Sequence, residues 1–103
     1  MATNKTVVDI SRVRVKPENE ERFVEVWADV VKQFQAAAPI IFGARLLRPM
    51  EGDVWCDVWH VTSKEALRGV MESGVEIPAF KEMEKLTELV SVEWYEVSGD
   101  LTF

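Results

Sequence analysis

The amino-acid sequence predicts an α+β protein with the element order β-α-β-β-α-β. Three observations lead to this fold class: short runs rich in β-branched residues, apolar residues at helical spacing between them, and breaks at proline or glycine. No internal repeat, low-complexity tract or linker is visible. Because 103 residues suffice for one hydrophobic core, we expect a single domain over 1–103.

The first strand is predicted over residues 6–15, TVVDISRVRV, which is dense in valine and isoleucine. Pro17 suits the first position of a helix, and acidic residues follow in the first turn, where the helix dipole favours them. The helix is expected over 17–37 and is ended by Pro39. Its apolar stripe consists of Phe23, Trp27, Val30, Val31 and Phe34.

The second half of the chain supplies the remaining elements. A short strand over 40–49 leads to a turn in which Gly52 can adopt a positive φ, and a third strand follows to residue 61. The segment TSKE then predicts a helix capped by Thr62. We expect this second helical region to break near Gly74, to resume as AFKEMEKLTELV up to Val90, and to lead into a last strand over 91–97.

This order is that of a ferredoxin-like antiparallel sheet with its helices on one face. The other face is then uncovered, and several strands carry large apolar groups on both faces. We therefore expect the uncovered face to pack on a second sheet, most simply that of an identical chain.

Composition restricts the classes of function. The net charge of −6 argues against a nucleic-acid partner and against binding to an anionic membrane surface. A single cysteine fits a reducing compartment, and the first residues lack the apolar run of a signal peptide. We expect a cytoplasmic, water-soluble protein.

The segment DVWCDVWHV, residues 53–61, gathers two tryptophans, two aspartates and the single cysteine and histidine. Strand alternation sends Trp55, Asp57 and Trp59 to one face and Cys56 and His60 to the other. Since Cys56 and His60 are four residues apart, their β-carbons lie roughly 13 Å apart, too far to ligate one metal. We expect no metal site.

The face with Trp55, Asp57 and Trp59 is predicted to line a cavity between two subunits, and Asp9 and Ser11 are expected to point there too. We take strands one and three to be adjacent and parallel, which would bring Asp9 near Asp57. Burial among indoles and a second carboxylate would raise the pKa of one carboxyl and make it a general base.

Alternatives remain open for these residues. Asp57 would have a purely structural role if it paired with an arginine. His60 is a further catalytic candidate, and the Tyr95 hydroxyl would orient a substrate if it faced the cavity. Arg12 and Arg14 are expected on the helix side of the sheet. If Asp57 did pair with an arginine, the candidate partners are Arg12, Arg14 and Arg45.

The segments VRVKPENEERFVEVW, GARLLRPMEG and TSKEALRGVMES resemble the antibiotic-biosynthesis-monooxygenase-like family of dimeric α+β barrel proteins. The resemblance covers residues 6–97. It implies a homodimer and an activity of one of two kinds: oxygenation of polycyclic aromatic or quinol substrates without metal or flavin, or haem degradation.

Haem degradation is disfavoured within that resemblance. The haem-degrading members carry an asparagine, a tryptophan and an iron-ligating histidine, where this sequence has Ser11, Val61 and a segment 77–83 without histidine. We expect a monooxygenase that needs no cofactor and acts on an aromatic, polyketide or quinol-like molecule. A cyclase or isomerase with the same base, and a non-catalytic small-molecule-binding dimer, are the alternatives.

Overall fold

The computed structural model describes residues 6–103. The chain forms β1 (Val7–Val15), a 3-10 turn (Pro17–Asn19), α1 (Glu20–Ala37), β2 (Ile41–Leu47), β3 (Val54–Val61), α2 (Lys64–Glu72), α3 (Pro78–Leu86) and β4 (Thr87–Glu96). The four strands form one sheet in the order β2-β3-β1-β4, and each neighbouring pair is antiparallel. This is the predicted ferredoxin-like arrangement.

The helices cover one face of the sheet. The buried stripe of α1 packs on β1 and β3, and the core also takes in α2 and α3. The side chains of that stripe are Phe23, Val26, Val30 and Phe34. Trp27 and Val31, which were predicted to belong to the stripe, lie beside it and are only partly buried. Gly52 turns the chain between β2 and β3 with φ of 84°.

Two element boundaries were predicted wrongly, and each error has a local cause. The cap of α2 is Ser63 rather than Thr62, and its side chain accepts a hydrogen bond from the Ala66 amide at 2.9 Å. The Thr62 amide instead donates to the Ile40 carbonyl, so this residue still belongs to the sheet.

The other error lies at the end of α3, which stops at Leu86 instead of continuing to Val90. Residues 87–90 are strand, because they pair with the end of β1, where Thr87 lies opposite Val15. The pairing slips by one residue between Arg12 and Val13, which leaves Val90 without a partner in β1. Helical spacing of apolar residues was outweighed here by sheet pairing.

No helix among residues 6–103 combines the length and the apolar character needed to cross a membrane.

Candidate functional site

The strand β3 presents its large side chains to the helices. Trp55, Asp57, Trp59 and Val61 are buried, and the rings of Trp55 and Trp59 contact Phe23 and Phe34 of α1 edge-to-face at 5.3 and 5.2 Å. The prediction that this face looks toward a second subunit was therefore wrong. The aromatic stripe of α1 supplies the apolar surface that two indoles need, whereas valine and cysteine fit the open face.

The open face of the sheet carries the residues that we had placed under the helices. Cys56 and His60 lie there on β3, together with Arg12 and Arg14 of β1. Tyr95 of β4 is paired with Val8 on the same face, and its hydroxyl donates to Glu93. His60, a catalytic candidate, and Tyr95, expected to orient a substrate if it faced the cavity, therefore both lie on the opposite side of the sheet from Asp57.

A cavity of about 230 Å³ lies within one chain, between the sheet and the helices. Four of the predicted site residues line it: Asp9, Ser11, Asp57 and Trp59. Trp55 does not, because it packs beneath Phe23 with the Arg48 guanidinium 4.5 Å from its ring centre. The walls are otherwise apolar, with Phe34, Leu67, Phe80, Met83 and Trp94 among them.

The strand register explains how the two carboxyl groups meet. The strands β1 and β3 are adjacent as predicted but antiparallel rather than parallel, with Asp9 opposite Trp59 and Ser11 opposite Asp57. Asp9 and Asp57 are thus diagonal neighbours on one face, a relation that places residues roughly 7–8 Å apart. Both carboxyls therefore sit on the sheet floor of the cavity.

Asp57 receives a hydrogen bond from a residue whose role we had not predicted. The indole N–H of Trp27 in α1 donates to Asp57 Oδ1 at 2.7 Å. Trp27 follows the buried Val26 directly, so it projects from the margin of the apolar stripe toward the cavity floor. The one sequence signal was a tryptophan, with its polar N–H, at the border of an apolar stripe.

Burial raises the pKa of both carboxyls. For Asp57 the pKa rises from 3.8 to about 6 because desolvation outweighs the N–H groups of Trp27 and Trp59, and the nearby Asp9 charge raises it further. The Trp59 N–H acts on the carboxyl by proximity, since its geometry falls short of a hydrogen bond with any described residue. Desolvation likewise raises the pKa of Asp9 to about 6, against a long hydrogen bond of 3.4 Å from Ser11 Oγ.

The alternative that Asp57 pairs with an arginine is contradicted. Arg12 pairs with Glu93, and Arg14 pairs with Asp53 and Glu88, all on the open side of the sheet. Arg45 lies opposite Val58 on that same side. Asp57 faces the other way, toward Trp27.

The donor set of the cavity does not suit a metal ion or haem. Across residues 6–103, no three side chains of His, Cys, Asp or Glu are grouped as a metal site. The described residues that line the cavity include no histidine, cysteine or tyrosine, and His60 is on the opposite face of the sheet. Met71 and Met83 do line it, but a thioether serves haem iron together with a histidine.

The fold is that of a ferredoxin-like α+β protein, and solved structures described as antibiotic biosynthesis monooxygenases share it, so the predicted resemblance is confirmed in the fold. A protein from Caulobacter crescentus, proposed to be an antibiotic biosynthesis monooxygenase, aligns with a TM-score of 0.70 over 93% of both chains at 18% identity. SnoaB from Streptomyces nogalater, a cofactor-independent oxygenase, aligns with a TM-score of 0.69, over 95% of this chain and 96% of its own, at 20% identity.

A third similar structure is a haem-degrading protein from Mycobacterium tuberculosis in its haem-free form. It aligns with a TM-score of 0.61, over 94% of this chain and 99% of its own, at 27% identity. No family model matches the sequence, and no curated protein sequence does. These similarities support the fold, and the activity depends on the residues that line the cavity.

Proposed function

We propose that the protein is a cofactor-independent monooxygenase that acts on an aromatic or quinol-like small molecule in the cavity. The observation that carries the proposal is Asp57, a buried carboxyl whose pKa is raised to about 6 on the floor of an apolar cavity. A base with a pKa near the working pH is well matched to removing a proton from a weak carbon or phenol acid. The oxygenase SnoaB shares the fold.

The proposed reaction begins when Asp57 takes a proton from an activated CH₂ or hydroxyl group of the substrate. The resulting electron-rich anion reduces dioxygen, and a carbon–oxygen bond forms to give a peroxide. Loss of water from the peroxide, with the proton returned by Asp57, leaves a carbonyl group. Overall, CH₂ and O₂ give C=O and H₂O, and the substrate is the sole reductant.

The side chains around Asp57 have separate tasks in this scheme. The Trp27 N–H occupies Oδ1 and leaves Oδ2 for the substrate. The apolar walls exclude water from the anion, which would otherwise be protonated again before it meets dioxygen. Asp9 and Ser11 offer polar contacts on the same floor.

Oxygen uptake with an anthrone or a quinol in metal-free buffer tests the proposal. We expect uptake by the unmodified protein and a loss of roughly 100-fold or more in Asp57→Asn, the range that a general base contributes. Glu93→Gln, which removes a carboxyl on the open face, is the matched control and should keep the rate. Full uptake by Asp57→Asn would refute the assignment of the base.

A cyclase or isomerase is the second candidate, and the pairing of Asp9 with Asp57 favours it. Two neighbouring carboxyls with pKa values near 6 can take a proton at one atom of a substrate and return it at another without dioxygen. Turnover that persists under anaerobic conditions would identify this reaction. Saturable binding without turnover in either condition would identify a binding protein.

Haem degradation is not proposed, although one similar structure is a haem-degrading protein. The described residues that line the cavity include no histidine to hold the iron, and the sequence has none in 77–83. Titration with haem should leave the Soret band at the position of free haem, and a tight shifted complex would contradict this reasoning.

We also infer a homodimer formed through the open face of the sheet. The helices cover the other face only, and the open face combines partly buried apolar side chains such as Ile10 and Val58 with the exposed Leu47. Val58→Arg should convert a dimer into a monomer in sedimentation velocity. Val24→Arg, on the exposed side of α1, should remain dimeric. An unmodified protein that is monomeric at tens of micromolar would refute the dimer.

A further inference from the structure

The charged side chains that line the cavity, among the described residues, are all acidic. Three carboxyl groups line it, those of Asp9 on β1, Asp57 on β3 and Glu84 at the exposed rim on α3. None of the described lining residues is basic. Two cations lie nearby without lining the cavity. The Nζ of Lys64 on α2 is 5.4 Å from the ring centre of Trp94. Lys81 on α3 lines an adjoining pocket that shares Phe80 and Glu84 with the cavity.

The carboxyls at the floor are also poorly neutralised. Asp57 accepts from the Trp27 indole and Asp9 from the Ser11 hydroxyl, and both donors are neutral. A neutral donor stabilises a carboxylate without cancelling its charge, so the negative potential of the floor acts on whatever enters. Because the walls are apolar and both carboxyls are at least partly buried, this potential is screened less than it would be at an exposed surface.

We propose that the cavity selects its ligand by charge: it accepts neutral or cationic aromatic molecules whose hydroxyl or ammonium group is shared by Asp9 and Asp57, and it rejects aromatic carboxylates of the same size. The proposal deepens the proposed function by naming the class of substrate, and it relies on that function for the location of the substrate site only. A donor between two diagonal carboxyls satisfies both, since charge-assisted hydrogen bonds are short and strong.

The aromatic walls favour the same ligands. The aromatic side chains that line the cavity include those of Trp59, Trp94, Phe34 and Phe80. Where such a ring turns its face to a ligand, it attracts a cation and repels an anion. An entering carboxylate would lose its hydration, meet two like charges and find no cation among the described residues that line the cavity. We expect it to bind at least roughly tenfold more weakly than a neutral ligand of equal shape.

Three two-ring probes of nearly equal shape test this selectivity: 2-naphthol, 2-naphthoate and 2-(aminomethyl)naphthalene. Affinities are measured by calorimetry at pH 8, and the indole N–H signal of Trp59 in ¹⁵N spectra reports that the probe occupies the cavity. The amine and the naphthol should bind, and the naphthoate should bind at least roughly tenfold more weakly. Equal or tighter binding of the naphthoate would overturn the proposal, and so would failure of all three to shift Trp59.

Two further measurements assign the selectivity to the floor carboxyls. At pH 5, Asp9 and Asp57 hold protons, since burial raises each pKa to about 6, and the disadvantage of naphthoate should shrink. It should shrink likewise at pH 8 in the double variant Asp9→Asn/Asp57→Asn, whereas Glu93→Gln should keep the full difference. A difference unchanged by both pH and the double variant would show that another group sets it. If the double variant fails to fold, the pH series decides alone.

Measurements of ligand binding and of oxygen uptake distinguish failure of the charge selectivity from failure of the proposed oxygenase. Charge selectivity without any oxygen uptake would support this inference and remove the oxygenase. Oxygen uptake with a preference for aromatic carboxylates would support the oxygenase and remove this inference.

Discussion

The two faces of the sheet carry charge in opposite ways. On the open face, Arg12 pairs with Glu93, and Arg14 pairs with Asp53 and Glu88, and these side chains are exposed or partly exposed in the single chain. On the covered face, Asp9 and Asp57 lie beneath the helices, and their hydrogen-bond donors among the described residues, Ser11 and Trp27, are neutral. The same strand β1 contributes Arg12 to one arrangement and Asp9 to the other.

The difference is between carboxyl groups that are paired with arginines and carboxyl groups that are buried without such a partner. Exposed ion pairs contribute little to stability, and they leave carboxyl groups ionised. A buried carboxyl without a cation instead loses stability when it ionises, and its pKa rises. A fold keeps such a group at a cost, which is a common sign of a functional role.

Replacing Asp57 by Asn should produce the largest effect and change with pH. Because the pKa of Asp57 in the folded protein is about 6 and its ordinary value is 3.8, its contribution to stability is full below pH 4 and is lost as pH rises through 6. Asp57→Asn cannot ionise, so the variant avoids the loss of stability that the buried charge causes at high pH. We expect a gain of up to about 3 kcal/mol in the free energy of unfolding at pH 8 and almost none at pH 4, measured by urea denaturation.

The open face supplies the control for that experiment. Glu93→Gln breaks the pair with Arg12, and it should give no gain at pH 8. Similar gains in the two variants would mean that the faces do not differ in how they hold carboxylates. A gain in Asp57→Asn that is as large at pH 4 as at pH 8 would mean that ionisation is not its cause.

The fold could be predicted because its signals are local. Pro17, the stripe from Phe23 to Phe34 and the turn at Gly52 each specify one element within a few residues. The end of α3 could not be predicted in this way. The spacing of apolar residues in Thr87–Val90 fits a helix, and this segment becomes strand through long-range pairing with β1.

The sequence grouped most residues of the candidate site together, but it placed them on the wrong side of the sheet. Alternation correctly grouped Asp9, Ser11, Asp57 and Trp59 on one face, since the period of a strand is local. Which face the helices cover depends on how α1 packs, and we assumed that large side chains mark a subunit interface. Trp27 escaped notice because its partner is 30 residues away in sequence.

The second prediction concerns Trp27, the neutral donor that holds the buried Asp57 carboxyl on the covered face. Trp27→Phe keeps an aromatic ring and removes the N–H that lowers the pKa of Asp57. The pKa of Asp57 should therefore rise by about 1–2 units, since hydrogen bonds to charged groups are worth about 1.5–3 kcal/mol. A ¹³C carboxyl titration by NMR measures this shift.

Trp94→Phe is the matched variant for Trp27→Phe. Trp94 also lines the cavity, but its indole is not among the groups that lower the pKa of Asp57. It should leave that pKa within about 0.3 units of its original value. Equal shifts in the two variants would assign the effect to cavity polarity instead of the Trp27 hydrogen bond.

The smallest effect should come from Ser11→Ala, which tests whether the two carboxyls behave as a pair. The Ser11 hydroxyl donates to Asp9 at 3.4 Å, a length typical of a weak bond, so its loss should raise the pKa of Asp9 by only about 0.3 units. Asp9 then stays neutral to a higher pH, and its charge raises the pKa of Asp57 less. In the carboxyl titration, the two pKa values should therefore move in opposite directions. If both rise together, Ser11→Ala has changed the burial of the cavity floor, and the coupling between Asp9 and Asp57 is weaker than the register suggests.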